Sequence, residues 1–226
     1  MKWQDKGYLL SLNKYNENSA IAEFFTKKNG KVTGIIFGST SKKIKSYLFI
    51  GNKFHINFKF KAETKIGYFN VEIDNINTPA YLDNKQKLHC IIYTMNLIKL
   101  LTAENQENIN IYQLLKNFFE NLKHNNWLVN FIFWELSFYK SIGYDIDFKN
   151  YVKNVVIEGN EKFIVESSNK IIPNFLINNN IYPDDKKDIF KGFSVVGDFL
   201  DKTILKPNNL NFPLSRIEFG NLLKSI

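Results

Sequence analysis

Between Lys53 and Lys61 apolar and polar residues alternate almost without fault. Phe54, Ile56, Phe58 and Phe60 fall on one face, and Lys53, His55, Asn57, Lys59 and Lys61 on the other. A side-chain period of two marks a half-buried strand. One face must be covered by other apolar surface, while the lysine-bearing face meets water or a ligand. The neighbouring sequence supplies partners: Gly7 to Lys14 reads as a first strand ended by the turn-rich Tyr15-Asn16-Glu17-Asn18, and Ser19 to Thr26 as a second. Lys28-Asn29-Gly30 is a hairpin signal, because Asn-Gly readily takes positive φ, and Lys31 to Phe37 returns as a third strand. Gly34 inside that strand suggests a bulge or coiled bend of the kind closed barrels need. Phe69 to Asp74 repeats the alternation as a fifth strand.

Five short antiparallel strands within residues 1–78 fit a small closed barrel of the oligonucleotide-binding (OB) type, and an SH3-like barrel fits the pattern almost as well. Charge follows the same division. Residues 1–78 hold 13 Lys and 6 Asp+Glu, whereas 79–226 hold 17 Lys+Arg against 16, so nearly all of the net +8 lies in the first third. From Lys27 to Lys65 ten lysines face a single carboxylate, Glu63: Lys27, Lys28, Lys31, Lys42, Lys43, Lys45, Lys53, Lys59, Lys61 and Lys65. A small domain so charged is suited to a polyanion, and these ten are its candidate contacts. The densest run, Lys42, Lys43 and Lys45, lies in the connection Gly38 to Lys45 between the third and fourth strands. A solvated loop is the plain alternative for such a run. Phe37, Tyr47 and Phe49 are candidates for stacking on bases, although each also suits the core.

From Thr78-Pro79 the period becomes helical. Pro79 suits a first helical turn, and Leu82, Leu88, Ile91, Ile92, Met95, Ile98 and Leu101 recur at helical spacing. Ile109 to Leu122 is a second helix with Tyr112, Leu115, Phe118, Phe119 and Leu122 as its buried stripe. Trp127 to Ser141, apolar on nearly every side, is a third, capped by Gly143. Further on, Val155-Val156-Ile157 and Phe163-Ile164-Val165 read as a short hairpin, Lys191 to Leu205 as a helix, and Pro213 to Ile226 as a last short helix. The fold class expected is therefore α+β and multidomain: a five-stranded OB-type barrel over residues 1–78, then a mainly helical domain over 79–226 with a small irregular C-terminal module.

Catalytic chemistry finds little footing. Cys90 is the only cysteine, which rules out an intramolecular disulfide and a cysteine-based zinc site and points to a reducing compartment. His55, His89 and His124 are scattered. Asp184, Asp185 and Asp188, or Asp145 and Asp147, could imitate a Mg²⁺ site, but acids also gather at helix N-termini and turns. No glycine-rich phosphate loop and no Ser/His/Asp or Cys/His constellation stands out, so neither a cofactor nor an enzymatic reaction is expected. The N-terminus lacks the apolar core of a signal peptide, and no apolar run approaches the roughly 20 residues of a spanning helix, so a cytoplasmic, nucleoid-associated protein is expected.

Several stretches resemble one known family. The Asn18-Ser19-Ala20-Ile21 entry to the second strand, the Phe25 to Lys31 hairpin and the Gly34-Ile35-Ile36-Phe37-Gly38 exit into a basic loop are similar to the amino-terminal OB domain of the bacterial recombination mediator RecO. Phe133-Trp134-Glu135-Leu136, then Ser141 to Phe148, resemble that family's aromatic-Glu-Leu helix and its Leu-Gly turn and Asp-Leu segment. Gly197 to Lys202 and Pro213-Leu214-Ser215-Arg216 resemble its closing helices. One departure matters: many members carry a four-cysteine zinc module, and where its first cysteine would fall this chain has Tyr151. The resemblance therefore implies a degenerate zinc module without metal over about 146 to 183, and if its fold is kept, hydrophobic packing would have to hold it.

The resemblance implies a recombinational DNA repair mediator that binds single- and double-stranded DNA and anneals complementary strands. With RecR it would help load RecA onto DNA covered by single-stranded DNA-binding protein (SSB). The acidic, hydrophobic-ended SSB tail would require an apolar groove with a lysine at its rim. Two other readings of the residues stay open: an enzyme on the same scaffold using Asp184 to Asp188, and an RNA- or ribosome-associated barrel protein.

Overall fold

Five strands, β1 (Lys2–Lys14), β2 (Ser19–Thr26), β3 (Gly30–Phe37), β4 (Lys53–Lys59) and β5 (Gly67–Asn75), close into a barrel in the order β1-β2-β3-β5-β4. The structure is a computed structural model and describes residues 1–60, 66–157, 160–165, 170–178, 181–183 and 185–224. The alternation read from the sequence builds the barrel interior, where Leu9, Ala22, Phe24, Val32, Ile36, Phe54, Ile56, Phe58, Phe69 and Val71 form one buried cluster. Phe24 sits edge-on to both Phe54 and Phe69, at 5.6 and 5.0 Å between ring centres.

Two expectations about this barrel are corrected. Its strands are not all antiparallel: β3 and β5 run parallel, pairing Gly34 with Gly67, Ile35 with Tyr68 and Ile36 with Phe69. The cause is topological, since a closed ring with an odd number of strands cannot alternate direction all the way round. Nor does Gly34 mark a bulge. The register slips instead in β1, between Leu9 and Ser11 just past its last pair with β4, and in β4, between Lys53 and Phe54 against β5. Gly34 is required because a Cβ there would stand 2.7 Å from the Phe69 ring, and at Gly67 a Cβ would stand 2.2 Å from the Phe58 ring. The two glycines face each other across the parallel seam and let these rings fill it. β1 also starts earlier than the sequence suggests, because Trp3 stacks on Phe58 with ring centres 4.8 Å apart.

The molecule divides into two compact units. The first, Met1–Phe119 with Pro213–Leu222, holds the barrel together with a short helix α1 (Lys42–Lys45), α2 (Lys85–Leu101), nearly all of α3 (Ile109–Asn121) and most of the C-terminal helix (Leu214–Lys224). Pro79 opens a separate 3₁₀ turn, Thr78–Tyr81, and α2 begins only after Asn84, whose side chain accepts from the Lys87 N–H. Leu82 accordingly is exposed rather than part of a helical stripe. Tyr8 of β1 stacks on Phe119 at 5.6 Å, and the expected stripe of α3 is buried throughout. The chain's sole arginine, Arg216, is buried and donates to the Tyr93 hydroxyl at 2.9 Å, tying the C-terminal helix to α2.

The second unit, Glu120–Phe212 with Leu223–Ile226, is built on α4 (Trp127–Ser141). Gly143 ends it with φ at 96°, and the Tyr144 N–H reaches back to the Tyr139 carbonyl at 2.8 Å, as the cap expectation requires. The expected hairpin is present as β6 (Val152–Ile157) and β7 (Asn160–Val165), joined by β8 (Ile171–Ile172) in a three-stranded sheet. Phe148 and Ile172 are buried in this region, whereas Tyr151 is exposed. Helix α5 (Asn174–Ile177) follows, then α6 (Lys186–Phe199), which passes into a π-helical stretch, Leu200–Leu205, and finally α7, the helix Leu214–Lys224. Among the described residues no helix is long and apolar enough to cross a membrane.

Candidate nucleic-acid interface

The basic connection after β3 is a small ordered element rather than an open loop. Gly38 turns the chain out of the strand with φ at 67°, and the Ser39 N–H and Thr40 hydroxyl both reach Asn18, each at 3.1 Å. Ser41 then caps α1, its Oγ accepting from the Ile44 N–H at 3.4 Å. Ile44 packs against the barrel core, which turns the other three side chains of α1 outward. Lys42, Lys43 and Lys45 are all exposed, and among the described residues none of their ammonium groups has a carboxylate within salt-bridge reach. Three cations on one short, anchored turn can neutralise adjacent phosphates together.

The other lysines read from the sequence separate into distinct environments. Lys27 and Lys28 are exposed in the β2–β3 turn, where Asp5 accepts from the Lys28 N–H at 2.7 Å and from the Asn29 side chain at 3.0 Å. That turn lies at the opposite end of β3 from α1, about 23 Å away along the strand. Lys59 is half-buried on β4, opposite Tyr68 of β5 and Lys2 of β1. Lys31 is engaged by α2, its ammonium donating to the Lys99 carbonyl at 2.8 Å. Lys53 lies 3.1 Å from the Asp74 carboxylate, beside the rings of Tyr8 and Tyr112. Lys61 and Lys65 lie outside the described residues. The eight described lysines therefore do not converge on one surface.

Asp74 organises the outer face of β1, β4 and β5. Its carboxylate takes Lys6 at 3.0 Å, Lys53 at 3.1 Å and His55 at 2.8 Å. Burial pushes this carboxyl up, but hydrogen bonds from Lys6 and Lys53 and their charges more than offset it and hold it below the usual range. Nearby, burial and the charges of Asp5 and Asp74 push the Tyr112 phenol up to about 12. Lys53 and His55, which the alternation turns outward, are thus tied together with Lys6 to one acid.

The aromatic candidates also divide. Tyr47 packs on Phe54, 6.0 Å between centres, and both it and Phe49 are half-buried. Phe37 is different, with 58% of its surface exposed, so the expectation that it suits the core is not met. Its ring lies 6.0 Å from that of Tyr68, tilted by 57°. Tyr68 was missed by the sequence reading because β5 begins two positions earlier than the alternation from Phe69 suggests, and it is that same alternation that turns Tyr68 outward.

The described acidic candidates and His89 each meet a neighbour in the fold. Asp185 caps α6 by accepting from the Asp188 N–H at 2.8 Å, and Asp188 pairs with Lys191 at 3.1 Å, while Asp184 lies outside the described residues. Asp145 pairs with Lys140 at 2.7 Å, and Asp147 accepts from the Lys149 N–H at 3.1 Å. His89 lies half-buried on α2, 3.9 Å from Glu218, beside the buried Cys90. Among the described residues no three His, Cys, Asp or Glu side chains gather as a metal site.

Comparison with known proteins agrees with the layout. Residues 1–75 match the family model described as recombination protein O N terminal, and residues 84–179 match recombination protein O C terminal. Among curated proteins, the DNA repair protein RecO of Ehrlichia chaffeensis is 26% identical over 229 residues, covering 92% of this chain and 93% of the relative. That of a Wolbachia species from Drosophila simulans is 24% identical over 247 residues, spanning the whole of both chains. The Rickettsia bellii protein of the same name is 30% identical over 148 residues, 66% of this chain and 61% of the relative. A closed five-stranded barrel with an anchored basic turn, followed by a helical region, and two successive matches that together take in most of the chain lead to one conclusion: the chain belongs to the RecO family of DNA repair proteins.

Proposed function

We propose that this chain is a non-enzymatic recombination mediator. Its barrel domain, residues 1–78, binds single- and double-stranded DNA without reading sequence, and the protein anneals complementary strands. The helical domain, residues 79–226, serves mainly to recruit proteins: RecR, with which it helps load RecA, and the SSB tail. Its place is the cytoplasm, on the nucleoid. The observation that carries this reading is α1, an anchored turn that presents Lys42, Lys43 and Lys45 to solvent from the wall of a closed barrel. Phosphate contact of this kind supplies affinity and position but no sequence information, which suits a protein that must act on any strand. For the SSB tail, a cleft of about 770 Å³ in the second unit offers Phe133, Leu136 and Leu176 as apolar lining, with Lys149 exposed among its lining residues, while Lys140 is paired with Asp145 and Asp147 also lines the cleft.

The test is an annealing assay on complementary strands coated with SSB, in the absence of nucleotide. Acceleration by this protein supports the reading, and the variant Lys149→Glu should anneal naked strands normally while losing the acceleration on coated ones. No acceleration on either substrate would sink the proposal. Strong preference for structured RNA would favour the RNA-associated reading, and hydrolysis of the strands the enzymatic one.

A further inference from the structure

Phe37 ends β3 with most of its ring in water, on the outer face of a strand whose other side fills the barrel. A single exposed aromatic ring is common on a protein surface, so what sets this one apart is what stands around it. Its surroundings narrow the ligand. Tyr68, which pairs with Ile35 across the parallel seam, stands beside it, with ring centres 6.0 Å apart and a tilt of 57°. On one side Lys59 lies opposite Tyr68, and Lys2 opposite Lys59. On the other, Gly38 turns the chain out of the strand after Phe37 and, through Ser39, Thr40 and Ser41, into α1 with its three exposed lysines. The next outward residues along the neighbouring strands, Asn57 and Asn70, are neutral. Among the described residues the adjoining cross-strand row holds no acid, and the ring pair has Lys59 and Lys2 along one row and the lysines of α1 beyond Gly38.

We propose that Phe37, beside Tyr68, is a stacking platform for an unpaired DNA base, and that this ring pair gives the barrel an added affinity for single strands that the lysines alone do not supply. The inference rests on the DNA-binding reading above. An exposed base has a free π-face that can lie on the Phe37 ring while its flanking phosphates meet lysines on either side. In a duplex both faces of each base are taken by its neighbours, so only the phosphates remain to be bound. The lysines serve both substrates, and the ring serves one.

Three DNA probes of equal length separate these contributions in the full-length protein: an ordinary single strand, an abasic strand with the same phosphates and no bases, and a duplex. Phe37→Ala should weaken binding to the ordinary strand by roughly 5- to 150-fold, the range for losing one stacked base. It should leave the abasic strand, the duplex and the salt slope unchanged. Phe37→Trp should restore the ordinary strand. The ring is exposed, so its removal leaves the barrel core intact, and an unchanged melting temperature confirms it. Loss of affinity for all three probes alike, no loss for any, or wild-type protein binding the abasic strand as tightly as the ordinary one would each overturn the proposal while leaving DNA binding in place. Wild-type protein that binds none of the three would remove the DNA-binding reading itself, and this proposal with it.

Discussion

Replacing Lys42, Lys43 and Lys45 together by Gln removes three charges from α1 while keeping side chains of similar length. None of the three is buried, and the helix is held by the Ser41 cap and by Ile44, so the fold should be indifferent to the change. The effect on DNA can be worked from counterion release. Each neutralised phosphate on a single strand adds about 0.7 to the slope of log affinity against log salt. At about 0.15 M salt that is roughly 0.6 log units per phosphate, or about fourfold. Removing all three ammonium groups should therefore weaken binding by about 50-fold and flatten the slope by about 2. Fluorescence anisotropy titrations of a labelled single strand, run over a series of salt concentrations, measure both quantities at once. Lys31→Gln and Lys53→Gln provide the internal contrast, because Lys31 is committed to the Lys99 carbonyl and Lys53 to Asp74. Those two should hardly move the slope. If the triple variant keeps the wild-type slope, or if Lys31→Gln matches it, the assignment of DNA contact to α1 is wrong.

Three further outcomes follow from the packing and electrostatics. Gly67→Ala puts a methyl group against Phe58, a ring already held between Trp3 and Phe69, and should cost about 1–3 kcal/mol; an unchanged thermal unfolding midpoint would mean that the ring can swing aside. Asp74→Asn should lose about 1–2 kcal/mol near neutral pH through its contacts to Lys6, Lys53 and His55. Because the folded carboxyl titrates below its unfolded value of about 3.9, its contribution is complete above that value and fades as pH falls through the folded one. Denaturation curves of wild type and variant should therefore converge in acid, and a constant gap would contradict this. Tyr112 has the opposite sign: its phenol stays neutral up to about 12 when folded, while the unfolded chain ionises near 10. Wild-type stability should fall between those values, Tyr112→Phe should fall less, and parallel alkaline unfolding curves would refute the link.

Much of the layout was legible because it depends on periods the chain carries locally. Phe54, Ile56 and Phe58 had one possible role once they alternated with polar residues, and Trp127 to Ser141 had one once it was apolar all round. The hairpin at Asn29-Gly30 and the cap at Gly143 both follow from a backbone conformation that few residues adopt. What escaped reading involved partners distant in sequence. Nothing around Lys53 announces that Asp74 will pair with it, nor around Lys31 that its ammonium will donate to the Lys99 carbonyl, since each contact exists only after the barrel and α2 are assembled.

The sequence by itself determined that a basic barrel precedes a near-neutral helical region, because hydrophobic period and charge are properties of the chain alone. Only the tertiary structure decided which of those charges face solvent. Strand pairing placed Asp74 between Lys6, Lys53 and His55, and left Phe37 beside Tyr68 at the parallel seam. Closing a ring of five strands sets those neighbours, and the chain meets that constraint only when it folds.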